Sequence, residues 1–374
     1  MPLNAATVAA KFSCAPMMDW TDRHCRYFHR LLSRQTLLYT EMITAPALVR
    51  GKALHLLQFD SSEHPVAVQL GGSDPLELAE AARIAADAGY DEINLNVGCP
   101  SDRVQSGCFG AVLMKTPELV ADAVSLMAAA QPREVTVKCR IGVDDQDPEI
   151  VLPQFLETIR AAGVKRVIIH ARKAWLQGLS PKENRSIPPL DYDLVFRMKQ
   201  SFPDLHLSLN GGIDDLDSAA AHLAHGFDGV MIGRAAYHAP YDILGHADHR
   251  IFGTRQGPVE IDFVIDAMRS YIAGHLQEGG KVHDVTRHML GLFAGRPGAR
   301  LWRRVLSTEA VRSDSDETDL DLAYAKVTNA IEKAASSETA SNLQENQKKT
   351  CLGGKTLPPT APAARCAEKH QPRA

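Results

Sequence analysis

Asn94-Leu95-Asn96-Val97-Gly98-Cys99-Pro100-Ser101 reads as an apolar strand that stops at a Gly-Cys-Pro turn. An α/β protein holds out reactive side chains at such strand ends, because the sheet fixes the position while the turn leaves the tip open. Cys99 is therefore the first candidate for chemistry, against the plain alternative of a small buried thiol.

Seven further β-rich runs share this form, at 12–17, 37–43, 65–70, 134–139, 165–170, 205–209 and 228–232, which with 92–97 makes eight. Between several of them lie segments with apolar residues at helical spacing, 75–88, 117–130, 148–162, 191–202 and 215–225, opening on Pro or Asp and often closing near Gly. Strands alternating with helices pair in parallel, and eight such units predict a (β/α)8 TIM barrel, with a doubly wound sheet as the alternative. The barrel occupies residues 1–250, and a small all-helical domain follows at 258–336. A tail at 337–374, rich in Pro, Ala, Lys, Gln and Thr, is predicted to be disordered.

A barrel collects its chemistry just beyond the C-terminal ends of its strands. Here those ends read Ala15-Pro16-Met17-Met18-Asp19, Gln69-Leu70-Gly71-Gly72, Asn96-Val97-Gly98-Cys99, Lys138-Cys139-Arg140, His170-Ala171-Arg172, Asn210-Gly211-Gly212 and Gly233-Arg234. Glycine lets backbone approach an anion closely, and the loops after the seventh and eighth strands are the usual phosphate site of such barrels. Asn210, Gly211 and Gly212, then Gly233 and Arg234 one unit later, predict a phosphorylated cofactor. Gln69, Lys138 and His170 suit the N–C=O edge of a flavin, with Lys138 balancing the anionic reduced ring. Lys138 is also placed like a Schiff-base lysine, and His170 like a general base or a donor to phosphate.

The segment 287–304 holds five arginines and no carboxylate, in a chain of net charge −4. Arg300, Arg303 and Arg304 share one side of a helix by spacing, as phosphate contacts do. The other 374-residue totals are those of a soluble globular chain, 45% apolar and 23% charged. No run approaches a bilayer span and no signal peptide is visible, so a cytoplasmic location is expected, and nothing calls for an obligate protein partner. The seven cysteines are scattered without a Cys-x-x-Cys pair, which suggests neither a disulfide framework nor a metal site. Cys351 and Cys366, in the tail, carry no expected role.

The strand-end motifs taken together resemble a family. Ala-Pro-Met-Met-Asp at 15–19, Leu-Asn-Val-Gly-Cys-Pro-Ser-Asp-Arg-Val-Gln-Ser-Gly at 95–107, Lys-Cys-Arg-Ile-Gly at 138–142, His-Ala-Arg at 170–172, Ser-Pro-Lys-Glu-Asn-Arg at 180–185, Asn-Gly-Gly-Ile at 210–213 and Gly-Arg-Ala at 233–235 are similar to those of tRNA-dihydrouridine synthases, the A subgroup in particular. The resemblance runs from about 12 to about 306. It implies FMN held by Pro16, Met17, Met18, Gln69, Lys138, His170, Asn210, Gly211, Gly212, Gly233 and Arg234. It also implies reduction of that FMN by NADPH and hydride delivery to C6 of a uracil in tRNA, with Cys99 giving the proton at C5. Asn96 is then expected on the uracil edge, Lys182, Arg185, Arg300 and Arg303 on the tRNA, and the D-loop uridines 20 and 20a as targets. After Gly110-Ala111, where the family pattern often has a second cysteine, this chain has Val112, which leaves Cys99 as the working thiol and Cys108 as incidental. The competing readings are a flavin barrel for a free pyrimidine, a lysine-dependent lyase, and a non-catalytic RNA-binding module.

Overall fold

A computed structural model describes residues 5–101, 107–312 and 315–352; the 102–106 part of the Cys99 motif and Cys366 lie outside the described residues. Eight parallel strands are present: β1 (Phe12–Cys14), β2 (Leu38–Thr44), β3 (Val66–Gly71), β4 (Glu92–Val97), β5 (Glu134–Arg140), β6 (Arg166–His170), β7 (His206–Asn210) and β8 (Gly229–Ile232). They pair in the order β1-β8-β7-β6-β5-β4-β3-β2, and a bridge between Ser13 and Leu37 joins the two ends, so the sheet is a TIM barrel rather than a doubly wound sheet. β1 is shorter than its sequence suggests. The N–H of Ala15 still reaches the Ile232 carbonyl at 2.8 Å, but Pro16 has no N–H with which to continue the ladder.

The surrounding helices are α1 (Ala5–Ala9), α2 (Arg23–Leu32), α3 (Ala45–Val49), α4 (Pro75–Asp87), α5 (Pro117–Ala130), α6 (Pro148–Ala161), α7 (Tyr192–Ser201), α8 (Leu216–His225), α9 (Arg234–His238) and α10 (Pro240–Arg250). Their starts follow from local chemistry. Asp74, Asp147, Asp191 and Asp215 each accept backbone N–H groups of the first turn, and α4 and α6 place Pro at the first helical position, where no donor is needed. Helix α1 was not foreseen; Ala6, Ala9 and Ala10 pack with Leu37, Tyr39, Ala67, Ile168 and Met231 to plug the floor of the barrel.

The strand β4 corrects the first reading of its sequence. Ile93, Leu95 and Val97 belong to the apolar core against the helices, but the alternate residues Glu92, Asn94 and Asn96 are also buried, inside the barrel. There they find polar partners. The Glu92 carboxylate accepts from Arg166 Nη2 at 2.6 Å, Tyr39 Oη at 2.6 Å and Thr136 Oγ1 at 2.5 Å. Asn94 Nδ2 donates to Thr136 Oγ1 at 2.8 Å, Gln69 Nε2 donates to Asn94 Oδ1 at 2.8 Å, and Asn96 Nδ2 donates to Gln69 Oε1 at 2.7 Å. A continuous hydrogen-bonded row thus climbs the interior from the floor to the mouth.

Beyond the barrel lie α11 (Ile261–Gln277), α12 (Val282–Thr286), α13 (Ala299–Thr308) and α14 (Thr318–Leu352). Trp302 is fully buried among them and donates its indole N–H to the Met289 carbonyl at 2.8 Å. α14 runs to Leu352, so 338–352 is helical where disorder was expected. That stretch contains neither Pro nor Gly, and its Ala, Leu, Gln, Glu and Lys residues propagate a helix already started. Among the described residues no helix is long and apolar enough to cross a membrane.

The Arg166 guanidinium, 1% exposed, also reaches Glu134 at 2.9 Å and is the sole cation bonded to the buried Glu92 among the described residues. Arg166→Ala leaves that carboxylate buried without a counter-charge and is expected to destabilise the protein by about 3–5 kcal/mol, seen as a lower denaturant midpoint. A midpoint equal to wild type would show that the interior row does not support the barrel.

Candidate active site

The upper end of the interior row forms the Cys99 turn. Asn96 Oδ1 accepts the backbone N–H groups of Gly98 at 3.1 Å and Cys99 at 3.0 Å, so the side chain that closes the row also shapes the turn. The Cys99 carbonyl accepts from Ala111 N at 2.9 Å, and its Sγ lies 3.5 Å from Ser101 Oγ. Asn96 uses one Nδ2 hydrogen on Gln69, which leaves the second for an acceptor in the mouth. Cys99 is partly exposed, whereas Cys14, Cys25 and Cys139 are buried. Burial pushes the Cys14 and Cys139 thiols up to about 12. Cys108 is exposed in the following loop with a φ of +55° and takes no part in this turn.

The residues predicted at the other strand ends converge on the same mouth. Asn210 Oδ1 accepts from Lys138 Nζ at 3.0 Å, while Asn210 Nδ2 donates to the Met231 carbonyl at 2.7 Å, tying β5, β7 and β8 together. Burial, and secondly the Arg140 cation, lower the Lys138 ammonium to about 8. The ring of His170 packs on Gly211, whose φ is +108°; a Cβ there would stand 3.0 Å from His170 Cε1. Gly212 has a φ of +70°, and Tyr192 Oη donates to the Gly211 carbonyl at 2.6 Å. Burial, then the cations Arg140, Lys138, Arg172 and Arg185, hold His170 neutral, well below the usual imidazole range. Its Nδ1 is buried without a hydrogen-bond partner. On the β1 and β8 side, a Cβ at Gly233 would meet Met17 Sδ at 3.6 Å. Pro16 is half-buried in the same loop, Met18 is exposed at 51%, and Arg234 is exposed at the start of α9.

Lys138, Arg140, Arg172, Arg185 and Arg234 therefore surround one opening, and among the described residues none of them forms an ion pair. Arg140 was quoted in the sequence only as part of a motif, and its work is structural as well as electrostatic. Its Nε donates to the Gly98 carbonyl at 3.2 Å, and its Nη1 donates to the carbonyls of Lys173 at 3.3 Å and Asn184 at 3.0 Å. One guanidinium thus joins the Cys99 turn to the β6–α7 loop. That loop carries Lys182 and Arg185, both exposed around the short turn Glu183–Arg185, while Asn184 between them is fully buried.

Arg300 and Arg303 lie apart from the mouth, on α13. With Arg304 they are exposed, while Trp302, Val305 and Leu306 of the same helix are buried, so the side predicted from spacing is present. The five arginines of 287–304 are not all free, however. Arg287 pairs with Asp22 at 2.5 Å, beside His288 at 3.0 Å, and Arg296 pairs with Asp242 at 2.8 Å. Two arginines thus fasten the helical region to the barrel, and the unpaired ones are Arg300, Arg303 and Arg304 among the described residues.

Fold and site together define a barrel enzyme with a thiol and a mouth lined by cations that form no ion pair among the described residues. The dihydrouridine synthase (Dus) family pattern matches residues 13–332. The tRNA-dihydrouridine(20/20a) synthase of Shewanella oneidensis is 54% identical over 316 residues, covering 84% of this chain and 93% of that protein. The protein of the same name from Escherichia coli strain K12 is 56% identical over 309 residues, covering 82% and 89%. Among solved structures, 2-naphthoyl-CoA reductase with bound 2-naphthoyl-CoA covers 68% of this chain and 53% of its own at 12% identity and a TM-score of 0.50, a likeness of fold. The chain belongs to the dihydrouridine synthase family.

Proposed function

We propose that this chain uses FMN, with NADPH as reductant, to reduce uridine to 5,6-dihydrouridine at D-loop positions 20 and 20a of tRNA in the cytoplasm. The observation that carries this reading is that Cys99, after β4, faces Gly233 and Arg234, after β8, four strands away around a ring of eight. Substrate fits between a thiol and a cofactor cradle.

The residues of the mouth suit a phosphorylated flavin. The backbone of Gly211, Gly212 and Gly233 carries no side chain to block a phosphate, and Arg234 adds an unpaired guanidinium beside it. The orphaned His170 Nδ1 is a buried group in need of a partner. Pro16, Met17 and Met18 would close the β1 side, and Gln69 and Lys138 would hold the polar edge of the ring. What FMN supplies when bound is hydride to C6 of the uracil.

The chain's own residues do the rest. The second Nδ2 hydrogen of Asn96 holds a uracil carbonyl. Cys99 Sγ carries the proton that C5 requires, the part of a general acid. When the S–H bond breaks, the sulfur keeps the electron pair as a thiolate. Lys138, Arg140 and Arg185 are close enough to attract that charge, and solvent then restores the proton. The uracil has to leave its stack to reach this depth, which requires a grip on the surrounding RNA. Lys182 and Arg185 at the mouth and Arg300 and Arg303 on α13 supply unpaired cations for it. An enzyme for a free pyrimidine has no use for the α13 arginines.

Cys99→Ala is expected to keep FMN bound and reducible by NADPH while uridine reduction falls about 10²- to 10⁴-fold; Cys108→Ala should stay close to wild type. The opposite pattern would move the proton donor to Cys108. Arg300→Ala and Arg303→Ala should each weaken tRNA binding and lower its log–log salt slope by roughly 0.9, with flavin reduction unchanged. Equal slopes in wild type and both variants would remove α13 from the RNA interface. In a strain lacking this protein, dihydrouridine at 20 and 20a should be absent; its persistence there would overturn the position assignment.

A further inference from the structure

The β6–α7 loop holds an aromatic side chain that the cofactor and thiol do not use. Trp175 is 37% exposed, the most exposed of the chain's large aromatic side chains after Phe263 on α11. Its backbone is among the most tightly held in the loop. Asn184, fully buried, accepts the Trp175 N–H on Oδ1 at 2.7 Å and donates Nδ2 to the Trp175 carbonyl at 2.9 Å. The neighbouring residues are tied just as firmly. Ala174 exchanges bonds with Gly142 at 2.9 Å and Asp144 at 2.8 Å, and the Leu176 N–H reaches Asp144 Oδ1 at 2.8 Å. Lys173 holds its ammonium 5.4 Å from the indole centroid.

Backbone bonds of this density fix where the indole stands, yet more than a third of the residue is left to solvent. Burial would have stabilised the fold, and exposure does not. The same Asn184 that clamps Trp175 is bonded through its carbonyl to Arg140, which also holds the Gly98 carbonyl beside Cys99. The indole is thus in mechanical register with the thiol, next to the unpaired cations Lys173, Lys182 and Arg185. A rigid aromatic surface among cations that track a phosphate backbone is the arrangement that stacks single-stranded bases.

The geometry points to Trp175 as a stacking platform for a tRNA base that flanks the reacting uridine, with Lys173 neutralising the adjoining phosphate. This rests on the tRNA reading above. Once the uridine is drawn into the barrel, its neighbour loses a stacking partner, and the indole replaces it. Trp175 is therefore a specificity-determining residue for the nucleotide context of the target, not a participant in the hydride or proton transfer.

The test is a titration of the FMN-loaded protein with unmodified tRNA transcript, followed by tryptophan fluorescence and by equilibrium binding. Of the three tryptophans, Trp302 is buried and Trp20 is stacked on Tyr237, so Trp175 should carry the quenching. Trp175→Ala is expected to raise the tRNA Kd about five- to one-hundred-fold, with the salt slope unchanged because no charge is removed, and Trp175→Tyr to recover most of the affinity. NADPH oxidation without tRNA should be unaffected. Equal tRNA Kd values for Trp175→Ala and wild type would overturn the platform while leaving the tRNA reading intact. A raised KM for NADPH in place of a raised tRNA Kd would assign the indole to the nicotinamide dinucleotide and overturn it too. Wild-type protein that binds no tRNA would overturn both.

Discussion

The site depends on one constraint: polar groups buried inside the barrel must find partners there. Leaving a buried donor or acceptor unmatched costs about 1–3 kcal/mol, so Glu92, Asn94, Thr136, Gln69 and Asn96 are held in a single consistent set of rotamers. Each link fixes the next. Glu92 is anchored by Arg166 and Tyr39, Thr136 passes the constraint to Asn94, and Gln69 passes it to Asn96. Because Asn96 Oδ1 also accepts the Gly98 and Cys99 amides, the row ends in the thiol turn itself. Side chains that each find partners in a low-dielectric interior are restricted to few rotamers, and that restriction reaches the strand end where the Cys99 turn begins.

Arginines serve a second, separate purpose in this molecule, and their pairing state tells the two apart. Arg26 with Glu63, Arg166 with Glu92, Arg287 with Asp22 and Arg296 with Asp242 are spent on structure. The mouth cations and Arg300, Arg303 and Arg304 have no such partners among the described residues. Unpaired cations near a neutral, buried His170 make a local field that an anionic cofactor and a polyanionic RNA would satisfy, although the chain as a whole carries a net charge of −4.

The barrel was legible because most strands are short β-rich runs that end in, or are followed at once by, Gly or a polar residue, and each Asp or Pro before a helix is local information. The observed β4 and α5 coincide with the runs read at 92–97 and 117–130. The strand-end residues were legible too, since Lys138, His170, Asn210 and Gly211 follow apolar runs. What escaped was whatever depends on distant partners. Asn94 received no reading of its own because its partners Gln69 and Thr136 are 25 and 42 residues away. Arg287 was counted with the other arginines of 287–304, because its partner Asp22 is 265 residues away. Trp175 and Asn184 sit in a loop with no periodicity, where only the three-dimensional clamp reveals that the indole is placed.

The interior row makes a demand that can be met or refused at Thr136, which lies three hydrogen bonds below Asn96 and bonds to neither Gln69 nor the Cys99 turn. Thr136→Val keeps the shape and removes both hydrogen bonds, whereas Thr136→Ser keeps the hydroxyl. The decisive measurement is the single-turnover rate of uridine reduction by the pre-reduced enzyme in these two variants. The row predicts a rate at least about tenfold lower for Thr136→Val, the equivalent of about 1.4 kcal/mol, and near wild type for Thr136→Ser. A wild-type rate in Thr136→Val would show that the Cys99 turn holds its geometry without the interior chain.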